Sequence, residues 1–371
     1  MTKKLLIFCG GYLIGGQEIV TINYIKELIK LKVQVHCIIN SWSDGDFENR
    51  LTELSIPFTS VKLGFIYPKK PFWTLDTLLC FPNAIKKIKF VISSFKPDAY
   101  YHTSYRTIFM LQHFLKTEHI LHVHENIAPN YFNKYLLKSI NGKTKKFITV
   151  SETTKNYLIR GGINSSKIEV LYNGTEILPI TKKVKKDISL NLGIVGQIAP
   201  HKGHETLIEA LTILKQRNIY FKLNIFGKGS SDYVNYLKKL IVKYELNDAV
   251  EWMGFNTNLD YIYSQIDILI MPTQIKEAFG MIIIEAGIRS VPTLAANVGG
   301  PSEIIKDNYN GWLFESGNVL NLVLKLENLK DKNINFEDIT ENNYHRICAK
   351  FDIRKQASQL ESIIFDTCNT H

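Results

Sequence analysis

Two stretches of the chain run through the same order of apolar and polar positions. KKLLIFCGGYLIGGQEIVTINYIKELIKLKVQVHCII, from Lys3, passes from an apolar run through a glycine-bearing loop and a helix-spaced apolar pattern to a second apolar run. SLNLGIVGQIAPHKGHETLIEALTILKQRNIYFKLNIFGKG, from Ser189, repeats that order. Each reads as a βαβ unit, the building block of a parallel sheet with right-handed crossovers. Short apolar runs continue the alternation: DAYYHTS, HILHVHE, KFITVS and KIEVLYNG in the first half, AVEWMGF, IDILIMPT and VPTLAAN in the second. The pattern predicts two doubly wound α/β domains facing one another across a cleft, with TKKVKKDIS (181–189) as a charged linker. Ligands of such sheets gather beyond the carboxyl ends of the strands.

Length and composition agree with this. The chain has 371 residues, too many for one ordinary core, and is 45% hydrophobic and 22% charged. No apolar run is long enough to span a membrane, and MTKKLLIFCGG lacks the features of a signal peptide, so a cytoplasmic location is expected. Five scattered cysteines without a C-x-x-C argue against a disulfide framework or a structural zinc. The net charge of +10 is uneven: residues 1–186 carry +14 and residues 187–371 carry −4. A basic half could meet nucleic acid, anionic lipid or phosphorylated substrates.

The glycine loops are not specific by themselves. Gly10-Gly11-Tyr12-Leu13-Ile14-Gly15-Gly16 has P-loop spacing without the following Lys and Ser/Thr, and fails the G-x-G-x-x-G fingerprint. Gly227-Lys228-Gly229 is too short to specify either. More informative is KEAFGMIIIEAGIRSVPTLAANVGG, from Lys276, which follows the strand IDILIMPT. Glu277 falls in the loop after that strand, and a helix is expected to start near Phe279 or Gly280. Its first amides, around Gly280, Met281 and Ile282, would lack partners within the helix and form an anion site suited to a diphosphate. Glu285 lies about 6 Å further along the axis from Met281, at roughly 1.5 Å per residue. A nucleotide sugar has the matching layout of hydroxyls, diphosphate and hydroxyls. A helix with one terminal acid and one acid on its solvated face is the plain alternative.

Here the chain resembles the retaining glycosyltransferases of family 4, with the GT-B fold of two Rossmann-like domains. Glu277 to Glu285 matches the family's E-x7-E motif, and GQIAPHKGHETLIEAL (196–211) is similar to its GR-x4-KG segment. Asn173-Gly174, Gly299-Gly300-Pro301-Ser302-Glu303 and Asn310-Gly311 follow in the family's order. The resemblance implies domains at 1–183 (acceptor side) and 187–350 (donor side), with a C-terminal helix at about 351–371 packing back on the first. It implies that Glu277 contacts the donor sugar, that Phe279, Gly280 and Met281 offer amides to sugar and phosphate, and that Glu285 binds the ribose. Lys202 would lie on the diphosphate, with Gly15 and Gly16 near the phosphates. Gln197 stands where the family often has arginine, which removes one fixed positive charge from the donor site.

His122-Val123-His124-Glu125 closes a strand, and alternation puts both histidines on one face. A metal would need a third ligand, and a satisfied cleft histidine is the simpler reading. The family places a histidine of this region near the donor sugar, which selects His124 ahead of His122. Asp44-Gly45-Asp46 imitates a metal-binding D-x-D, but it reads as a solvated turn in SWSDGDFENR; the resemblance implies no bound metal and no cofactor.

The basic half carries Lys69-Lys70 beside Phe72-Trp73, then Lys86-Lys87-Lys89 and Lys143-Lys145-Lys146. An ordinary solvated helix face is one reading, and attraction to anionic lipid is the other. Nucleic acid is disfavoured because no recognised binding motif accompanies the charge. The combined expectation is a transferase moving a hexosyl group from a nucleoside diphosphate sugar, UDP ahead of GDP, to a saccharide or lipid-linked saccharide in cell-surface polysaccharide synthesis. A nucleotide-sugar 2-epimerase and a catalytically silent partner subunit are the rivals.

Overall fold

The structure, a computed structural model, describes residues 2–11, 15–42, 45–63, 70–115, 118–180, 190–330 and 334–366. In chain order its elements are β1 (Lys4–Phe8), α1 (Gly16–Lys30), β2 (Gln34–Asn40), α2 (Asp46–Glu53), β3 (Phe58–Val61), α3 (Pro71–Phe95), β4 (Ala99–His102), α4 (Tyr105–Leu111), β5 (His119–Val123), α5 (Tyr131–Asn141), β6 (Thr144–Thr149), α6 (Glu152–Arg160) and β7 (Ile168–Val170). The second half continues with β8 (Leu190–Val195), α7 (His204–Gln216), β9 (Phe221–Phe226), α8 (Ser231–Lys243), β10 (Val250–Gly254), α9 (Leu259–Ser264), β11 (Ile268–Met271), α10 (Met281–Gly287), β12 (Thr293–Ala296), α11 (Pro301–Ile304), β13 (Trp312–Phe314), α12 (Val319–Asn328), α13 (Phe336–Lys350) and α14 (Ile353–Asp366).

The chain forms two compact units, Met1–Gly174 with Ile353–His371, and Thr175–Asp352. Unit 1 holds a seven-stranded parallel sheet in the order β3-β2-β1-β4-β5-β6-β7. Leu5 through Phe8 of β1 are all buried, as expected of a central strand covered on both faces. The strand order reverses between β1 and β4. With right-handed crossovers, α1 and α2 then cover one face and α3 to α6 the other. The cores agree: Ile85 and Ile88 of α3 pack with Met110 and Leu111 of α4 over Leu6 and Phe8. Leu136 and Leu137 of α5 pack with Leu158 of α6 over Leu121 and Phe147. Helix α14 lies against α1.

Unit 2 holds a six-stranded parallel sheet, β10-β9-β8-β11-β12-β13, whose order reverses between β8 and β11. Its main core joins Leu207, Leu211 and Leu214 of α7 to Leu322 and Leu326 of α12 over Ile194, Ile225 and Ile270.

Three expectations need correction. The unit boundary falls at Gly174/Thr175, not near 183: the Thr175 amide donates to the Phe351 carbonyl at 2.8 Å and Thr175 bridges Asp352, so 175–180 run with unit 2. The return crossing lies at Asp352/Ile353 rather than at 350. Strands β3 and β13 were not anticipated. Both are edge strands, one with the half-polar sequence FTSV and the other only three residues long. The linker TKKVKKDIS and residues 367–371 lie outside the described residues.

Candidate donor site

In unit 2, three loops meet at the carboxyl ends of β8, β11 and β12, beside the point where the strand order reverses. After β8 the chain runs through Gly196 and Gln197 to a short 3-10 turn, Pro200–Lys202, and enters α7 through Gly203. Gly203 has φ +76°, and a Cβ there would sit 1.8 Å from the Pro272 carbonyl oxygen, so this loop closes on the loop after β11 only with glycine. The contact is locked by the Gln274 amide donating to the His201 carbonyl at 2.9 Å and by Gln274 Nε2 donating to Thr206 Oγ1 at 3.0 Å. The third loop joins through a backbone bridge between Glu277 and Gly299, with the Gly300 amide donating to the Glu277 carbonyl at 2.9 Å.

The outcome is a contact between residues 75 positions apart. Lys202 Nζ lies 2.9 and 3.1 Å from the two carboxylate oxygens of Glu277. Both side chains are about one-quarter exposed, at 27% and 24%, so the pair remains open to an incoming ligand. Gln197 is exposed on the same loop. Such a pair can act on a phosphorylated sugar in two ways: the ammonium can turn to phosphate oxygens, and the released carboxylate can accept from hydroxyls.

Helix α10 begins at Met281, one or two residues after the start expected at Phe279 or Gly280, because Gly280 adopts φ +114° and caps it. Phe279 is buried against Phe351, while Met281 and Ile282 are half-buried. The Ile283 amide is taken by the Gly280 carbonyl at 3.0 Å, and the amides of Met281 and Ile282 precede any intrahelical partner. Glu285 is half-buried on α10, and desolvation pushes its carboxyl above the usual range. Arg289 and the Tyr263 hydroxyl oppose that shift. The Tyr263 hydroxyl also donates to the Ile282 carbonyl at 3.2 Å, and Arg289 is held by Asp260 at 2.7 Å. Sequence reading missed Tyr263 and Arg289. Arg289 was within reach of the i,i+4 rule, but Tyr263 lies on α9 and has no local signal.

In unit 1 the loops after β1, β4 and β5 likewise meet at the reversal of strand order. The Gly10 amide donates to Thr103 Oγ1 at 3.1 Å, and Glu18 reaches back to accept from the Gly15 amide at 3.0 Å. This is one half of a capping box, and the Gly15-x-x-Glu18 spacing was its unread signal. Gly15 and Gly16 are exposed at the start of α1, whereas Tyr12, Leu13 and Ile14 lie outside the described residues. Burial raises the Glu18 carboxyl, and Glu125 adds to the shift. The rings of His122 and His124 are 4.1 Å apart. His122 Nδ1 meets the Tyr101 hydroxyl at 2.5 Å.

The reading of His124 as a satisfied histidine is corrected: both its ring nitrogens are buried and neither has a hydrogen-bond partner among the described residues. Burial lowers its pKa to about 3, so the ring is neutral and able to both donate and accept. His119 Nε2 and His122 Nε2 are likewise buried without a partner, but His124 is the one of the three with both ring nitrogens open. Among the described residues no group of three metal-ligating side chains forms. Asp44 lies outside the described residues, and Gly45 and Asp46 begin α2. A cavity of about 510 Å³ lies between α1 and α2, lined by Asn23, Asp46, Asn49 and Arg50 among others, and contains none of these site residues.

Two parallel sheets, each with its polar loops at the reversal of strand order, define a class of ligand-binding α/β protein, and comparison with known proteins narrows it. The family model for glycosyl transferases group 1 matches residues 180–346, and that for glycosyltransferase family 4 matches residues 14–177. The chain belongs to these glycosyltransferases and has their GT-B fold. It is 30% identical over 230 residues to an uncharacterized glycosyltransferase of Methanocaldococcus jannaschii, a match covering 58% of this chain and 60% of that one. It is 25% identical over 257 residues to the capsular polysaccharide biosynthesis glycosyltransferase CapM of Staphylococcus aureus, covering 63% and 65%. Against the first curated relatives the match spans about half to three-fifths of their length. Among solved structures, Anabaena Alr3699/HepE in complex with UDP superposes with a TM-score of 0.81 at 20% identity, over 97% of this chain and 99% of that one.

Proposed function

We propose that this chain is a retaining hexosyltransferase that takes its sugar from a nucleoside diphosphate donor, a UDP-sugar ahead of a GDP-sugar, and passes it to a saccharide or lipid-linked saccharide hydroxyl. The observation that carries the reading is the open Lys202–Glu277 pair at the reversal point of the unit 2 sheet. HepE has been crystallised with UDP and with UDP-glucose, and CapM serves capsular polysaccharide synthesis, which supports the donor and acceptor classes.

In this reading Lys202 turns from Glu277 to the diphosphate and stabilises the charge that develops as the anomeric C–O bond breaks. Glu277, released, accepts from the sugar hydroxyls. The amides of Met281 and Ile282 add dipole to the same phosphates, and Glu285 accepts from the ribose. In unit 1, neutral His124 can bond a hydroxyl without adding charge, and Gly15 and Gly16 leave the start of α1 open. The acceptor oxygen attacks from the face the diphosphate leaves, and its proton passes to a phosphate oxygen. No metal is called for, because Lys202 supplies the positive charge, and activity is expected to survive EDTA.

Thermal denaturation with UDP-, GDP- and dTDP-sugars tests the reading. A true donor stabilises by about 2.7 kcal/mol at a hundredfold excess over Kd. If no nucleotide sugar shifts the transition, the proposal fails.

A further inference from the structure

On α3 the buried residues Thr77, Ala84, Ile85, Ile88 and Val91 fall on one side of the helix. The opposite side is not simply polar. Phe72 is 83% exposed, Leu79 73% and Phe90 72%, with Leu75 55% exposed on the same side and Leu78, also 55% exposed, on the flank beside Ile85. At about 1.5 Å per residue this stripe runs roughly 27 Å from Phe72 to Phe90. Isolated exposed apolar side chains are ordinary, but an aligned row of large ones on a single helix marks an interaction surface.

Charge identifies the partner. Lys86, Lys87 and Lys89 are exposed around Phe90, and none is ion-paired among the described residues; Lys87 donates to the Ser60 carbonyl at 3.4 Å, which carries no counter-charge. Lys70, at the other end, lies 4.1 Å above the Trp73 ring. The one acid of α3, Asp76, is occupied by Lys62 and the Trp42 indole N–H, each at 2.9 Å. The face is therefore apolar toward its N-terminal end and uncompensated positive toward its C-terminal end. The cluster around Lys143 differs, because Lys145 and Lys146 are paired with Glu118 and Glu169. Lys69 lies outside the described residues.

We propose that the outer face of α3 binds an anionic phospholipid bilayer, with Phe72, Leu75 and Leu79 entering the acyl boundary and Lys86, Lys87 and Lys89 meeting the headgroups. A second copy of the chain fits less well. A parallel twofold contact along this face would set the lysines of the two copies against each other, and an antiparallel one would lay them on the apolar end of the partner with no free acid of α3 to pair them. The surface is distinct from the donor site, so the proposal stands apart from the transferase reading.

The test is co-sedimentation of the full chain with phosphatidylcholine vesicles, with and without phosphatidylglycerol. Binding is expected only with phosphatidylglycerol and is released by salt. Lys86→Gln with Lys87→Gln and Lys89→Gln should weaken it by about fivefold per lysine, on the order of a hundredfold together, following ~1 kcal/mol per basic residue. Phe72→Ser with Leu79→Ser should also weaken it at low salt. All five side chains are exposed, so each variant should keep the wild-type thermal transition, which is checked alongside. Absence of binding to phosphatidylglycerol vesicles at low salt overturns the proposal, as does wild-type binding by either variant. It is also overturned if the lipid-free chain is dimeric, the Phe72/Leu79 variant is monomeric and vesicle binding persists.

Discussion

The two units share a plan yet treat their polar groups in opposite ways. Unit 2 meets the loops of its sheet with a charged pair, Lys202 and Glu277, each open enough to change partners. Unit 1 buries neutral imidazoles instead. His102 stacks on Phe8 at 4.3 Å and meets His119 at 3.0 Å, and His122 lies beside His124. Burial lowers the pKa of all four, to about 4 for His119 and about 3 for His124. In unit 2 burial lowers the pKa of His204 to about 4. A site built from exposed opposite charges costs little to maintain and responds to salt. One built from buried neutral bases is insensitive to salt but depends on pH.

The largest expected effect follows from that contrast. Above about pH 6.5 these histidines are neutral both folded and unfolded and give no pH dependence. As pH falls below 6.5, the unfolded chain takes up protons that the folded unit refuses, so stability is lost progressively down to the folded values near 4 and 3. At about pH 4.5, His119 and His124 should each have removed about 2.7 kcal/mol from unit 1, at roughly 1.36 kcal/mol per pH unit. One raised carboxyl in each unit, Glu18 and Glu285, works the other way and leaves the comparison to the histidines. Tryptophan fluorescence can follow the units separately, since Trp42 and Trp73 lie in unit 1 and Trp252 and Trp312 in unit 2. Variants keeping one pair should show unit 1 unfolding at the higher pH. Coincident acid transitions would break the comparison.

Next in size is the charge pair itself. Lys202→Ala removes the ammonium and leaves Glu277 facing the diphosphate. Affinity for nucleoside diphosphate should fall by ~1.5–3 kcal/mol, the usual worth of a charged hydrogen bond. Adding Glu277→Gln should restore part of the loss, because the unpaired carboxylate is then gone. Calorimetry on the four corners of this cycle measures the coupling. Strict additivity would mean that the pair does not act as one unit toward the nucleotide.

How far these residues were legible in the sequence depends on how local their signal is. The βαβ alternation was readable because central strands buried on both faces are continuous apolar runs, as in Leu5 to Phe8. The edge strands β3 and β13 escaped because an edge needs no such run. Glu277 and Glu285 were readable as a pair at fixed spacing on one segment, and Lys202 only through the resemblance of residues 196–211 to the family's GR-x4-KG segment. The contact between Lys202 and Glu277 was not, since it depends on how two loops after adjacent strands close, with Gly203 pressed on Pro272. The state of His124 was equally hidden. Alternation put it beside His122, but only the packing shows that its nitrogens lack partners.

A smaller effect separates the two glutamates. Glu277→Gln frees Lys202 from its ion pair, so affinity for free nucleoside diphosphate should hold or rise by up to about 1 kcal/mol, the scale of a partly exposed pair. Turnover of the full donor should still drop, because the sugar hydroxyls lose their carboxylate. Glu285→Gln should weaken nucleotide and full donor alike, by about 1 kcal/mol, since the ribose is common to both. Each variant's nucleotide affinity is compared with its kcat/KM for the nucleotide sugar. Equal loss of nucleotide affinity in both variants would erase the division between a sugar end and a ribose end.

The smallest expected effect concerns Gln197, the position where family members often carry arginine. The residue is exposed, on the same loop as Lys202 and five residues before it, so Gln197→Arg alters no core packing and should leave the thermal transition unchanged. An arginine there would add a second cation to the diphosphate, but a solvated one at the end of a long side chain. Its contribution should be about 0.2–1 kcal/mol, the range of exposed ion pairs, and should vanish as salt screens it. The Lys202 effect should persist at the same salt, because that ammonium is drawn into direct contact. Calorimetry with the nucleoside diphosphate at low and high ionic strength reads both. A gain at Gln197→Arg that survives high salt would mean that position 197 touches the phosphates directly, and that the natural glutamine leaves the site short of a contact rather than only of a distant charge.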